Sequence, residues 1–170
     1  VERVEELSYL ELQRMDDAVA AHARRRYWKG HYLGELTDDA IDAFLLRGTP
    51  DGRGAHLPSV SLQAYGGAIA DVPDSEAAFS QRGTAFEFVA AASWTDPAQD
   101  DLRIGAARRC GASLDRFACG AYVNTLTDEG PAGVRRAYPP DKLARLTALK
   151  DVHDPDNVFH LNQNIRPTAR

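Results

Sequence analysis

The side chains able to do chemistry in this sequence stand at strand-like spacings: Gln63 with Tyr65, Glu87 alone, and Tyr122 with Asn124. Residues two apart on an extended strand share a face, so each pair can point into one cleft. Gln63 both donates and accepts hydrogen bonds, which suits a hydroxylated ligand, and Tyr65 can stack on a ring. Gly66 and Gly67 then permit a close backbone approach or a bulge. Glu87 sits between Phe86 and Phe88; if the two rings enter the core, period two sends the carboxylate to the opposite face. There it can accept a proton or orient a donor. A phenol with an ordinary pKa of about 10 is a poor base near neutrality, so Tyr122 needs activation, and Asn124 can orient it or hold an oxygen. Each group also has a plainer use: sheet packing with an ordinary turn for Gln63 and Tyr65, a solvated strand face or ion pair for Glu87, and an aromatic core residue beside a strand-end hydrogen bond for Tyr122.

Other chemistries find less support. The two cysteines, Cys110 and Cys119, form no CxxC pair and are expected as buried free thiols. His22, His31, His56, His153 and His160 lack compact metal-ligand spacing, so no metal site is expected. The 20 basic and 25 acidic residues leave a net charge of −5, which offers no general field for nucleic acid or acidic membranes. The basic clusters Arg24-Arg25-Arg26 and Arg108-Arg109 read as solvated helix ends. No run approaches the roughly 18 apolar residues of a membrane span. The opening Val1–Glu6 lacks the order of a secretion leader, so a soluble protein of unassigned location is expected.

The elements that must position these groups follow from periodicity and caps. Tyr9 to about His22 reads as a helix with a buried stripe at Leu12, Met15, Ala18 and Val19. Arg26 to Leu33 reads as an edge or inter-sheet strand. Thr37 caps a helix with Asp38 and Asp39 in its first turn and a packing face of Ile41, Phe44 and Leu45. A glycine-rich turn at 48–54 leads to a strand from Ser59 to Tyr65, and another runs from Thr84 to Ala92. Thr95-Asp96-Pro97 opens a helix with Leu102, Ala106, Arg109 or Cys110, and Leu114 on one face. Phe117 to Asn124 reads as a strand ended by Asp128–Pro131. Pro140 starts a last helix carrying Leu143, Leu146 and Leu149. Mixed helices and strands without repeated strand–helix units predict an α+β fold, an antiparallel sheet covered on one face by helices.

Several phrases, in order, resemble the berberine-bridge-like FAD-linked oxidases: Tyr27-Trp28-Lys29-Gly30, Gln63-Ala64-Tyr65-Gly66-Gly67, Tyr122-Val123-Asn124, Asp154-Pro155-Asp156-Asn157-Val158-Phe159 and Asn162-Gln163-Asn164-Ile165. The resemblance spans nearly all of residues 1–170 and implies part of a substrate domain, with the FAD-binding domain expected before residue 1. It implies Tyr122 and Glu87 as catalytic, Gln63, Tyr65 and Asn124 as substrate-binding, and Asn162 and Asn164 as cofactor-facing. Lys29, His31 and Arg82 are secondary candidates for stabilising an oxygen, while Trp28 and Trp94 suit a core or domain interface. FAD, an FAD-binding domain or subunit, a small organic substrate such as an alcohol, and molecular oxygen are the implied cofactor and partners. A non-catalytic ligand- or protein-binding module, and an inactive fragment, stay open as alternatives.

Overall fold

Alternation along two long strands sets the architecture. The computed structural model describes residues 4–15, 17 and 24–168. In chain order the helices and strands are α1 (Tyr9–Arg14), β1 (Arg25–Leu33), α2 (Asp38–Leu46), β2 (Ser59–Ala64), α3 (Ala68–Asp71), β3 (Phe86–Trp94), α4 (Asp100–Ala112), β4 (Ala118–Gly120), α5 (Gly130–Ala137) and α6 (Pro140–His153). A 3₁₀ turn, Val123–Thr125, follows β4. The strands form one antiparallel sheet in the order β2-β3-β1-β4. On one face Leu33, Phe88 and Ala90 pack against Cys110 and Leu114 from α4 and its exit, with Ala43 and Phe44 of α2 and Val60 and Leu62 of β2 around them. A second cluster joins Tyr27, Ala92 and Trp94 to Ala107. The predicted α+β class, an antiparallel sheet flanked by helices, is the observed one.

Several local expectations are corrected. The described part of the first helix is short, and Leu12 and Met15 are exposed rather than buried; Ala18, Val19 and His22 lie outside the described residues. β1 is an interior strand between β3 and β4, not an edge. Its imperfect alternation has a physical cause: Gly30 through Leu33 are buried on both faces. Thr37 caps α2 through its bond from Ala40 N (3.2 Å), but the helix turns inward on Ala40, Ala43 and Phe44, leaving Ile41 and Leu45 exposed. On α4 it is Leu102 that faces solvent, while Ala106, Ala107, Cys110 and Gly111 face the sheet. Small residues there let the helix lie close.

The expected Phe117–Asn124 strand shrinks to Ala118–Gly120, and Asp128–Pro131 leads into a helix, α5. Its first turn holds Pro131, whose missing N–H costs nothing there. Leu149 of α6 is exposed, so the leucine spacing does not mark a continuous packing stripe. Arg25 stands at the start of β1, not a helix end, and pairs with Asp100. Cys110 is buried as expected, but Cys119 is exposed.

β4 pairs only with Tyr32 and Leu33, which leaves the rest of that side of β1 to side chains. Thr127 Oγ1 accepts from Trp28 N (3.3 Å) and donates to Trp28 O (2.8 Å). Arg136 Nη2 donates to Gly30 O (3.1 Å) and to His31 Nδ1 (2.7 Å). These contacts satisfy backbone groups that a longer β4 would otherwise pair. Glu129 takes the charge of Arg136 and of Lys29, the latter at 2.8 Å. His31 is wholly buried and donates from Nε2 to Gly111 O (3.0 Å). With Nδ1 accepting from a guanidinium, the ring is the neutral Nε2–H tautomer. Burial, then the Arg136 charge, push its pKa down to about 4, although Asp115 at 3.2 Å opposes them.

Gly30 is required by close approach: a Cβ there would lie 2.2 Å from Thr125 Oγ1 and 2.7 Å from Thr125 Cβ. Gly30→Ala is therefore expected to destabilise by about 1–3 kcal/mol in urea unfolding, and Gly30→Val by more. The depressed His31 pKa gives a second expectation. Its contribution is complete above the unfolded-state value near pH 6.5 and fades as pH falls toward 4, because the unfolded chain takes up the proton first. On the order of 2 kcal/mol should disappear over that window, and His31→Gln should flatten this part of the stability–pH curve.

Candidate functional site

The face of the sheet opposite α2 and α4 carries the polar side chains. Register sets them in three rows: Trp28, Ala91 and Ser59; Gly30, Val89 and Ser61; Tyr32, Glu87 and Gln63. Small residues on β3 make a floor, and Ser59, Ser61 and Gln63 form an exposed rail of hydrogen-bonding groups along β2. Their spacing is roughly 6–7 Å, the two-residue repeat of a strand. The 3₁₀ turn crosses this face over Gly30, bringing Tyr122 and Asn124 to the Glu87 end.

Glu87 lies on the face opposite Phe86 and Phe88, as period two requires, but it is only 2% exposed rather than solvated. Tyr65 Oη donates to its Oε2 at 2.7 Å, while Oε1 has no hydrogen-bond partner among the described residues. Tyr32, also buried, meets the Tyr65 ring edge-on at 5.5 Å. Burial first, and the Glu87 carboxylate next, push the Tyr65 pKa up to about 12. Burial and the neighbouring Tyr65 raise that of Tyr32 as well. Both phenols therefore stay protonated near neutrality; Tyr65 donates to the carboxylate, whereas the buried Tyr32 Oη has no hydrogen-bond partner among the described residues.

Tyr122 and Asn124 are not on a strand: Tyr122 precedes the 3₁₀ turn and Asn124 lies within it. Turn geometry still joins them, with Asn124 Nδ2 donating to Tyr122 Oη at 2.7 Å. Phe79 links the two halves of the site. Its ring stacks on Tyr65 at 6.4 Å and lies 5.9 Å from Tyr122. A recess of about 200 Å³ opens here, its wall including Tyr32, Phe79, Tyr122, Asn124 and Tyr138. Gln63 sits beside Glu87 in register, exposed, with no side-chain hydrogen bond among the described residues. Gly66 and Gly67 take positive φ values, and a Cβ on either would meet nothing within 4 Å, so they serve the turn and not a close approach.

The remaining candidates divide. Arg82 lies against the site, its guanidinium 5.2 Å from the Phe79 ring centre. Lys29 and His31 project to the other face and belong to the network beside β1. Trp94 is buried and donates to Asp100 (2.7 Å), whereas Trp28 is exposed on the site face. Asn162 and Asn164 line a separate recess of about 140 Å³ against Gly130, Pro131 and Val134 of the α5 start, not the Glu87 cluster. Tyr32 and Phe79 were not singled out from sequence. Tyr32 belongs by strand register and Phe79 by the folding-back of a loop, and neither leaves a local spacing signal.

The family described as "Berberine and berberine like" matches residues 121–166. The chain is 34% identical over 104 residues to the FAD-linked oxidoreductase YvdP of Bacillus subtilis (strain 168), covering 61% of this chain and 23% of that protein. It is 29% identical over 126 residues to the aclacinomycin-N/aclacinomycin-A oxidase of Streptomyces galilaeus, covering 64% and 23%. Among solved structures, the flavoenzyme CrmK of caerulomycin biosynthesis matches with a TM-score of 0.77 at 22% identity, over 95% of this chain and 37% of that one. The glycopeptide hexose oxidase DBV29, complexed with teicoplanin, matches with a TM-score of 0.72 at 24% identity, over 84% and 32%. These structural likenesses speak for the fold. The chain spans about a quarter of the length of the curated relatives it matches. Residues 121–166, which carry Tyr122 and Asn124, thus match the berberine-like family, and about two thirds of the chain is similar to part of known FAD-linked oxidoreductases.

Proposed function

We propose that this chain is the substrate-side domain of an FAD-dependent oxidase that oxidises an alcohol on a small, hydroxyl-rich organic molecule. The observation that carries the reading is the buried Glu87 carboxylate, held by the Tyr65 hydroxyl at 2.7 Å with its other oxygen unpartnered among the described residues, on the polar face of the sheet. A buried acceptor without a partner is costly, and a substrate hydroxyl placed over this face would satisfy it. The donor set fits one wall of a flavin site: a floor of small side chains flanked by Ser59, Ser61, Gln63 and Trp28 can lie against a planar ring. No G-x-G-x-x-G cradle for a pyrophosphate occurs in the sequence, so another domain or subunit is assigned the bulk of FAD binding.

Bound FAD would supply the hydride acceptor, with molecular oxygen taking the electrons onward as hydrogen peroxide. The chain's own residues do the rest. The rail of Ser59, Ser61 and Gln63 binds ring hydroxyls and fixes which carbon is presented. Glu87 Oε1 is assigned as the final acceptor of the hydroxyl proton, and Tyr122 Oη as a relay that accepts it while passing its own phenolic proton on to the carboxylate. Tyr65 holds the Glu87 carboxylate through its hydroxyl, Tyr32 backs the Tyr65 ring, and Asn124 directs the Tyr122 oxygen. Asn162 and Asn164 are assigned to the wall that meets the FAD-binding partner. The hexose specificity in the name of DBV29 supports a sugar or glycoside as the alcohol, which the hydroxyl rail suits.

Anaerobic bleaching of the flavin in the FAD-loaded protein, with a panel of hexoses, glycosides and aromatic alcohols, checks this. Tyr122→Phe and Glu87→Gln should each slow bleaching by roughly a hundredfold while the melting temperature shows a folded protein. Parental rates in both variants would sink the assignment.

A further inference from the structure

A lysine on the opposite side of a loop from the site deserves a physical explanation. Lys142, in the first turn of α6, is 6% exposed, a rare state for an ammonium group unless it is paired and hydrogen-bonded. Its Nζ donates to Phe79 O at 2.8 Å and pairs with Asp74 Oδ2 at 3.0 Å. Asp74 in turn accepts from Arg82 N at 3.2 Å. Arg82 completes the enclosure, its guanidinium over the Phe79 ring and its Nη1 donating to Ile69 O at 3.0 Å. One buried cation thus ties α6 to both ends of the segment that carries Phe79.

Phe79 is the side chain that spans the candidate site, between Tyr65 on the sheet and Tyr122 beside the 3₁₀ turn. Tyr122 has one side-chain hydrogen bond among the described residues, from Asn124 of its own turn, so ring packing against Phe79 is what relates it to Tyr65 and Glu87. We propose that Lys142 is a remote positioning residue, which fixes Phe79 as the spacer between the Tyr65–Glu87 and Tyr122–Asn124 halves of the site. The inference rests on the oxidase reading for its consequence in catalysis, but its geometric content stands apart from it. Because the spacer places proton-accepting groups and binds no ring hydroxyl itself, its loss lowers the rate of the chemical step more than it weakens substrate binding.

The test uses the FAD-loaded full-length protein and the alcohols named above. Lys142→Met is expected to lower the limiting rate of anaerobic flavin bleaching roughly tenfold or more with little change in KM, since small misplacements of reacting groups cost about that much. Lys142→Arg keeps a cationic donor for Phe79 O and should restore most of the rate. Combining Lys142→Met with Tyr122→Phe should lose little beyond Tyr122→Phe alone, because both act through the same group. In carbon-13 NMR of the aromatic rings, Lys142→Met should lose the Phe79–Tyr122 contact and retain the Tyr32–Tyr65 contact. Phe79→Leu repeats the bleaching measurement if Lys142→Met fails to fold. A folded Lys142→Met with the parental rate and the parental ring contacts overturns the proposal, as do additive losses in the double variant. Should Tyr122→Phe and Glu87→Gln slow bleaching while Lys142→Met and Phe79→Leu do not, the positioning role alone has failed. No bleaching by any alcohol overturns the oxidase reading and the catalytic consequence drawn from it, and the NMR result then decides the geometry by itself.

Discussion

The pairing of β1 with β3 is the constraint on which the rest of the structure depends. Its register sets Tyr32 opposite Glu87 and His31 opposite Phe88. Side chains alternate along both strands, so a slip of one residue would exchange the two faces. Glu87 would then enter the apolar cluster under α4, and Phe88 would sit where the carboxylate now meets Tyr65. Burying an ionised carboxylate in that cluster, with no donor to receive it, would cost several kcal/mol. Phe88 is held where it is by Phe44, at 6.2 Å edge-on, and by the stacked His31 ring at 6.0 Å. The same packing that builds the core therefore places the acid of the candidate site.

The two faces solve different problems. The helix-covered face is closed by small residues on α4, and Gly111 lies so close to Lys29 that a Cβ would meet its Cγ at 2.3 Å. The other face is left open over β2 and is crossed by the 3₁₀ turn over Gly30 and, at the Glu87 end, by the segment carrying Phe79. Between them, the side of β1 that β4 leaves unpaired is served by Thr127, Arg136 and, through Arg136, Glu129. Glu129 shows how such a network is held together: burial alone would raise its pKa, yet hydrogen bonds from Lys29 and Arg136 outweigh this and hold it below the usual value. A charged cluster of this kind stabilises the fold only while every member keeps its partner.

The exposed apolar side chains have a pattern of their own. Val152 near the end of α6, and Val158, Phe159 and Leu161 beyond it, all face solvent. The turn that presents them is tightly made: Asp154 accepts from Val158 N at 2.7 Å and Phe159 N at 3.1 Å and pairs with Lys150, while Asn157 takes a positive φ of 53°. The phrase Asp154–Phe159 thus has a physical content, a carboxylate closing a turn just past a helix.

Much of this could be read along the chain. Thr37 and Asp96 mark helix entrances because a side-chain oxygen satisfies a free amide at a helix start, an interaction that spans only a few residues. Alternation placed Glu87 opposite its phenylalanine neighbours, and the α+β class followed from the mix of periods. What sequence left undecided depends on partners distant in the chain. Whether Glu87 is solvated or buried is settled by Tyr65 and Tyr32, from two other parts of the chain. Whether β1 is an edge is settled by a short β4 some 85 residues later. Tyr122 and Asn124 are brought together by a turn, where alternation along a strand points to a shared strand face. Phe79 and Lys142 carry no local signature, because a ring becomes a spacer and an ammonium a fastening only when helix, loop and sheet converge. Local hydrogen bonding and periodicity are written in neighbouring residues; burial, register and electrostatic partnership exist only once the chain has closed on itself.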